Sequence, residues 1–276
     1  MVDVERLLRP GAPFFLIAGP CLLEDEDLNR RIAEAVARTA EQFSIPAIFK
    51  GSFDKANRSS IESPRGPGLE LGLELLDQVR GELGVPVTTD IHEASQAAAA
   101  AEVVDLLQIP ALLSRQTDLL LAAAASGRPV NLKKGQWMAP EDMANQVSKA
   151  RSGGATGVAV TERGTSFGYH NLVVDMRSFA IIKETCGCPA IFDASHSVQL
   201  PGGAGSLSAG EPRHIPALAA AAAAAGADAL FVEVHPEPAS APSDASSMLP
   251  LDRLADVVER VLAVRGALAA SEEALR

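Results

Sequence analysis

Apolar and polar positions follow two periods along nearly the whole chain, and the pattern switches repeatedly between them. Short β-rich runs fall at 14–19, 47–53, 86–91, 105–110, 129–134, 157–163, 189–196 and 229–235. Between them lie stretches with apolar residues at i, i+3 and i+4. In 27–42 these are Leu28, Ile32, Ala35, Val36 and Ala40, the stripe of an amphipathic helix. The same reading predicts helices over 69–81, 93–101, 117–125, 140–151, 172–185, 216–225 and 251–268. Strands alternating with helices imply a parallel α/β sheet, and eight such units in 276 residues are the count of a TIM (β/α)8 barrel. A doubly wound open sheet is the alternative, but no G-x-G-x-x-G follows the first strand. No linker divides the chain. Residues 1–276 are therefore expected to form one barrel domain, with a short N-terminal addition at about 1–13.

Charge narrows the function classes. The net charge of −11, from 24 Lys+Arg against 35 Asp+Glu, repels polyanions and argues against nucleic acid as a partner. No apolar run reaches the roughly 18 residues of a membrane helix, so no membrane partner is expected. The first residues, Met1 to Glu5, do not read as a signal peptide. Three cysteines, an odd number, argue against a disulfide framework. The expectation is a soluble cytoplasmic protein.

In a TIM barrel the chemistry lies at the C-terminal ends of the strands. Here those ends carry charged or metal-capable side chains almost throughout. Four of only six lysines (Lys50, Lys55, Lys133, Lys134) fall there, with Arg58, Arg115 and Arg163. A cationic mouth on an acidic body suits small phosphorylated substrates. Strand alternation sharpens one choice: Val130 and Leu132 belong under the helices, which turns Asn131 and Lys133 into the barrel and leaves Lys134 outside it.

A second set has metal-ligand chemistry. Cys21, His196 and Glu233 come from strands 1, 7 and 8, neighbours once the barrel closes, and Asp244 lies just beyond strand 8. Thiolate, imidazole and carboxylates together suit a divalent ion such as Zn, Fe, Mn or Co. The Cys186-x-Cys188 pair precedes strand 7, at the opposite end of the barrel, and reads as structural.

The segment from Phe49 through Lys50, Asp54, Lys55 and Asn57 to Ser60 closely resembles the signature of the 3-deoxy-D-manno-octulosonate 8-phosphate synthase family. Further matches are Gln108 to Pro110, Ser114 to Asp118, Lys133 to Gln136, Gly164 to Tyr169, Phe192 to Gln199 and His235 to Pro238. The resemblance runs from about residue 13 to 265 and keeps the motifs in order. It implies condensation of phosphoenolpyruvate with D-arabinose 5-phosphate and water, giving the eight-carbon sugar phosphate and inorganic phosphate for lipopolysaccharide synthesis. Phosphoenolpyruvate would be held by Arg115, Lys133 and Arg163, with Lys55 and His196 nearby. Arabinose 5-phosphate would be held by Lys50, Asn57, Asp90, Arg58 and Ser59, and Ser52 and Gln108 complete the substrate-binding set. The resemblance gives Lys55, His196, Asp244 and Cys21 catalytic roles.

In that family Arg58 and Ser59 reach a neighbouring subunit's site, which implies a homo-oligomer, usually a tetramer. Cys21, where metal-independent members carry Asn, and the run Ser243-Asp244-Ala245-Ser246 resemble the metal-dependent form, with Cys21, His196, Glu233 and Asp244 as ligands. Gly51, His170, Val234 and the run Arg213-His214-Ile215 depart from the family's usual residues without removing a proposed contact. The nearest rival is a 3-deoxy-heptulosonate 7-phosphate synthase, but its Lys-Pro-Arg loop is replaced here by Lys55-Ala56-Asn57-Arg58. A non-catalytic phosphosugar-binding barrel is the reading from another class. The group that activates the water stays open.

Overall fold

The computed structural model describes residues 2–56, 63–167, 170–204 and 207–275. The strands are β1 (Phe15–Gly19), β2 (Ala47–Lys50), β3 (Val87–Asp90), β4 (Leu106–Ile109), β5 (Val130–Lys133), β6 (Val158–Glu162) and β7 (Thr165–Ser166). They continue as β8 (Leu172–Val173), β9 (Ala190–Asp193), β10 (Gln199–Ala204), β11 (Leu207–Gly210), β12 (Ala229–His235) and β13 (Leu249–Pro250). The helices are α1 (Val4–Leu7), α2 (Glu26–Phe43), α3 (Leu69–Leu83), α4 (Ala97–Val103), α5 (Thr117–Ala125), α6 (Met143–Ser152), α7 (Ser178–Cys186), α8 (Ile215–Ala224) and α9 (Leu254–Ala274).

β1 to β6, then β9 and β12, pair in that order and in parallel, and β12 pairs back with β1. The sheet is closed, so the TIM barrel expected from the pattern is the fold. Alternation sorts the side chains. Leu16, Phe49, Leu107, Val130, Leu132, Val160, Phe192, Leu230 and Val232 lie in the core shared with the helices. Phe15, Ile17, Ile48, Leu106, Ala159, Ile191, Ala229 and Phe231 form a separate cluster inside the barrel.

Val4, Leu7 and Leu8 of the N-terminal segment join that inner cluster and close the bottom of the barrel. Asp3 starts the single turn by accepting a hydrogen bond from the Arg6 amide at 3.1 Å. Each large apolar side chain buried there contributes about 1.5–3 kcal/mol.

Several predicted bounds shift. β2 was expected over 47–53, but its ladder ends at Lys50 and Ser52 makes only an isolated bridge to Leu22. The run 189–196 ends as strand at Asp193, and His196–Val198 form a 3-10 turn. The helix expected over 172–185 is α7, beginning at Ser178. Leu172 and Val173 instead pair antiparallel with β7, and Asp175 opens a turn by accepting from the Arg177 amide at 3.0 Å. The final helix runs from Leu254 to Ala274 rather than over 251–268. The hairpin β10–β11 has no counterpart in the predicted pattern. Among the described residues no helix is long and apolar enough to cross a membrane.

Candidate active site

The strand ends on the inner face turn from apolar to polar within one layer. Lys50, at the end of β2, is fully buried, and its ammonium donates to Glu233 Oε1 at 2.5 Å and to the Cys21 carbonyl at 2.8 Å. The backbones of β1 and β2 close tightly at this level: a Cβ on Gly19 would lie 1.9 Å from the Lys50 carbonyl oxygen. Only glycine permits that approach.

From there a chain of hydrogen bonds crosses the mouth. Lys55 donates to Ser52 Oγ at 3.0 Å, and Ser52 donates to Asp90 Oδ2. Gln108 donates to Asp90 Oδ1 and accepts from Asn131 at 2.9 Å, and Asn131 accepts from Thr161 at 2.7 Å. Burial works against ionisation of Asp90, but Lys50, Lys55 and Lys133 outweigh it and hold the carboxyl well below its usual range.

Lys133 points inward, as the alternation predicts. Its ammonium donates to Asp193 Oδ2 at 2.7 Å and stands 3.7 Å from the centroid of the Phe231 ring. Asp193 also meets His196 Nδ1 at 2.8 Å and accepts from the His196 amide at 2.9 Å. The carboxylate orients the ring with Nδ1 toward it and turns Nε2 to within 3.7 Å of Glu233 Oε2. Lys134 faces away from the mouth. It is fully buried on the helix side, 3.4 Å from Glu162 Oε1, so it does not belong to the cationic set.

The thiol and carboxylates converge on the other side. Cys21 Sγ lies 3.1 Å from Asp244 Oδ2, and one donor atom each from Cys21, Glu233 and Asp244 lie within 4.8 Å of one another. Burial, then the facing carboxylates of Asp244 and Glu233, push the Cys21 thiol well above its ordinary range. Glu233 Oε2 is buried with no hydrogen-bond partner, and Asp244 sits at φ 50, a left-handed conformation rarely adopted outside glycine. An orphaned carboxylate oxygen beside a thiol and a second carboxylate fits a divalent cation, which would lower the thiol's pKa and satisfy the orphan. His196 lies outside that tight trio, but its Nε2 is turned toward Glu233.

Arg163, just past β6, is buried; its Nη2 donates to Gln199 Oε1 at 2.6 Å, and its Nη1 has no partner. An unpartnered guanidinium nitrogen at the mouth is a waiting anion donor. Arg115 is exposed rather than drawn into the cluster. Asn57, Arg58 and Ser59 lie outside the described residues. Of the six expected rim cations among the described residues, four converge: Lys50, Lys55, Lys133 and Arg163.

Sequence reasoning missed two residues here. Asp193 positions both Lys133 and His196, and its D-x-x-H spacing was a visible signal. Gln199 closes the Phe192–Gln199 motif but was given no role; it touches Arg163 and Asp244 at once, contacts between distant positions that the motif does not disclose. Cys186 and Cys188 are buried free thiols beside the start of β9, away from the mouth.

The fold and this mouth define a parallel-barrel protein with a buried cationic set facing a thiol–carboxylate cluster. Residues 8–265 match the DAHP synthetase I family, and the chain belongs to it. It is 55% identical to a protein of Synechococcus sp. named 2-dehydro-3-deoxyphosphooctonate aldolase, over 94% of this chain and 91% of that one. Proteins of the same name from Cyanothece sp. and Syntrophotalea carbinolica are similar. The first is 54% identical over 97% of this chain and 98% of its own length, the second 53% identical over 91% of each.

Proposed function

We infer that this chain condenses phosphoenolpyruvate with D-arabinose 5-phosphate and water, giving 3-deoxy-D-manno-octulosonate 8-phosphate and inorganic phosphate, a step toward lipopolysaccharide. One observation carries the reading: more than half of the chain is identical, over nearly its full length, to proteins named for that sugar phosphate. The heptulosonate reading, which the family's name also admits, loses to it on the same ground.

The chemistry sets requirements that these residues meet. C3 of phosphoenolpyruvate must form a bond to the aldehyde carbon, the aldehyde oxygen must gain a proton, and water must add at C2 before phosphate leaves. Two phosphate esters repel one another, and the buried ammonium and guanidinium groups neutralise and orient them. Arg163 offers a fork for phosphate or carboxylate, with Nη1 free. Lys133, backed by Asp193, comes from the neighbouring strand β5, and Arg115 is available from the rim. Lys50 and Asp90 line the side assigned to the sugar, Ser52 and Gln108 bond to Asp90, and Lys55, assigned near phosphoenolpyruvate, donates to Ser52. Asp90 and Gln108 can orient hydroxyls, because a linked network fixes their own geometry. Asn57, Arg58 and Ser59 are assigned to the sugar phosphate by resemblance alone.

This is the metal-dependent form of the enzyme. Cys21, Glu233, Asp244 and, through Nε2, His196 would hold a divalent ion (Mn, Fe, Co or Zn). When bound, such an ion supplies Lewis-acid polarisation of a carbonyl or of water. Support comes from the orphaned Glu233 Oε2 and the thiol set between carboxylates. Chelation should abolish activity, and Mn²⁺ or Co²⁺ should restore it. Cys21→Asn should bind metal more weakly yet keep measurable chelator-resistant turnover. Full activity with no metal by elemental analysis would remove the metal from this account.

A homotetramer in the cytoplasm completes the reading. Exposed Trp137 and Phe167, with Val173 of the adjoining β8, support burial against a second copy, and three free cysteines suit a reducing compartment. Light scattering checks the first. For the reaction, kcat/KM with arabinose 5-phosphate should exceed that with erythrose 4-phosphate. An equal or greater value with the four-carbon sugar overturns the assignment.

A further inference from the structure

Arg163 and Asp244 stand on opposite halves of the mouth, one among the cations and one with the thiol and Glu233. A single side chain touches both. Gln199, the first residue of β10, accepts from Arg163 Nη2 at 2.6 Å through Oε1 and donates to Asp244 Oδ1 at 3.0 Å through Nε2. Its amide orientation is fixed by chemistry, because only the oxygen can accept from a guanidinium and only the NH2 can donate to a carboxylate.

The backbone holds this bridge in place. Gln199 pairs with Gly210 across the β10–β11 hairpin. A Cβ on Gly210 would lie 2.7 Å from the Ser246 carbonyl oxygen and 2.9 Å from Ser247 Cβ. The base of the hairpin therefore fits directly against the turn that carries Asp244, and the Ser247 amide closes that turn by donating to the Asp244 carbonyl at 2.9 Å.

Both ends of the bridge sit beside unmet bonding capacity. Arg163 Nη1 and Glu233 Oε2 are each buried with no partner. An anion that takes the Arg163 fork through both Nη1 and Nη2 competes with Gln199 Oε1 at Nη2, since a charged acceptor makes the stronger bond. A cation arriving among Cys21, Glu233 and Asp244 draws charge from the Asp244 carboxylate, whose Oδ2 faces Cys21 Sγ, and so weakens the bond that Gln199 Nε2 makes to Oδ1. Either ligand loosens the same bridge.

We propose that Gln199 is a positioning residue that couples the two halves of the site, so that the anionic substrate and the divalent cation bind with positive cooperativity. The inference rests on the proposed function. The first ligand to arrive bears the cost of opening the bridge, and the second finds it open. The coupling is reciprocal, and opening one such bridge corresponds to an affinity change of about five- to thirtyfold.

The test is calorimetric titration of the full chain. Phosphoenolpyruvate is titrated into chelator-treated and Mn²⁺-loaded protein, and Mn²⁺ into protein with and without phosphoenolpyruvate. In the wild type each ligand should tighten the other about tenfold, by the same factor in both directions. In Gln199→Ala both ligands should still bind, the ratio should fall to near one, and metal-free phosphoenolpyruvate binding should tighten. Gln199→Glu should hold Arg163 more strongly and weaken metal-free phosphoenolpyruvate binding several-fold. Melting temperatures close to wild type would show both variants folded. Independent binding in the wild type, or an unchanged ratio in Gln199→Ala, overturns the coupling alone. Failure of the wild type to bind either ligand overturns the proposed function, and the coupling with it.

Discussion

The two ends of the barrel interior share the same strands and hold opposite chemistries. At the bottom, Phe15, Ile17, Ile48, Leu106 and Phe231 pack with Val4, Leu7 and Leu8. At the mouth, the inner face carries Lys50, Asp90, Gln108, Lys133, Asp193 and Glu233, all buried. β12 contains the whole transition, for Ala229 and Phe231 lie in the apolar cluster and Glu233, two residues further on the same face, pairs with Lys50. Apolar burial returns about 25 cal/mol per Å², whereas a buried ion pair roughly breaks even after desolvation. The bottom therefore holds the barrel together, and the mouth is kept polar for what it binds.

That division can be attacked most strongly at Glu233. Glu233→Ala strands Lys50 as an unpaired ammonium in a fully buried site, and the expected loss is about 3–5 kcal/mol in urea denaturation. The double variant Lys50→Met with Glu233→Leu should regain most of that stability while staying inactive. A double variant as unstable as the single one would mean the charges themselves hold the fold.

The converse is Leu7→Ala at the bottom. Leu7 is buried in the inner cluster, and truncation should cost about 2–3 kcal/mol while leaving KM for both substrates unchanged. A raised KM would show that the bottom also shapes the mouth.

The smallest effect on stability belongs to Arg163→Lys. An ammonium cannot copy the guanidinium fork that reaches Gln199 and leaves Nη1 free. We expect kcat/KM for phosphoenolpyruvate to fall about tenfold or more, ~1.4 kcal/mol, with a melting temperature close to wild type. Unchanged kcat/KM would make Arg163 a bystander.

The contrast also explains what the sequence made legible. The barrel could be counted because each strand and helix has its own period, and Lys133 could be told from Lys134 because alternation put Val130 and Leu132 under the helices. The convergence of Cys21 with Glu233 and Asp244 followed from barrel closure, which brings β1 beside β12. What escaped was set by tertiary contact. Leu172 and Val173 read as helical until β7 offered them a partner. Arg115 matched a motif but stands exposed. Gln199 gains its place only through Arg163 and Asp244, 36 and 45 residues away. The apolar pattern of residues 4–8 was too short to announce that it closes the barrel.

The central claim is that the charged mouth joins phosphoenolpyruvate to an aldose phosphate. Phosphorus-31 NMR of the Mn²⁺-supplemented protein with phosphoenolpyruvate and arabinose 5-phosphate tests it most directly. The phosphoenolpyruvate resonance should disappear one-for-one with the appearance of inorganic phosphate and a new sugar-phosphate signal, and only when the aldose is present. Phosphoenolpyruvate that stays intact beside the aldose, or releases phosphate equally without it, would contradict the account.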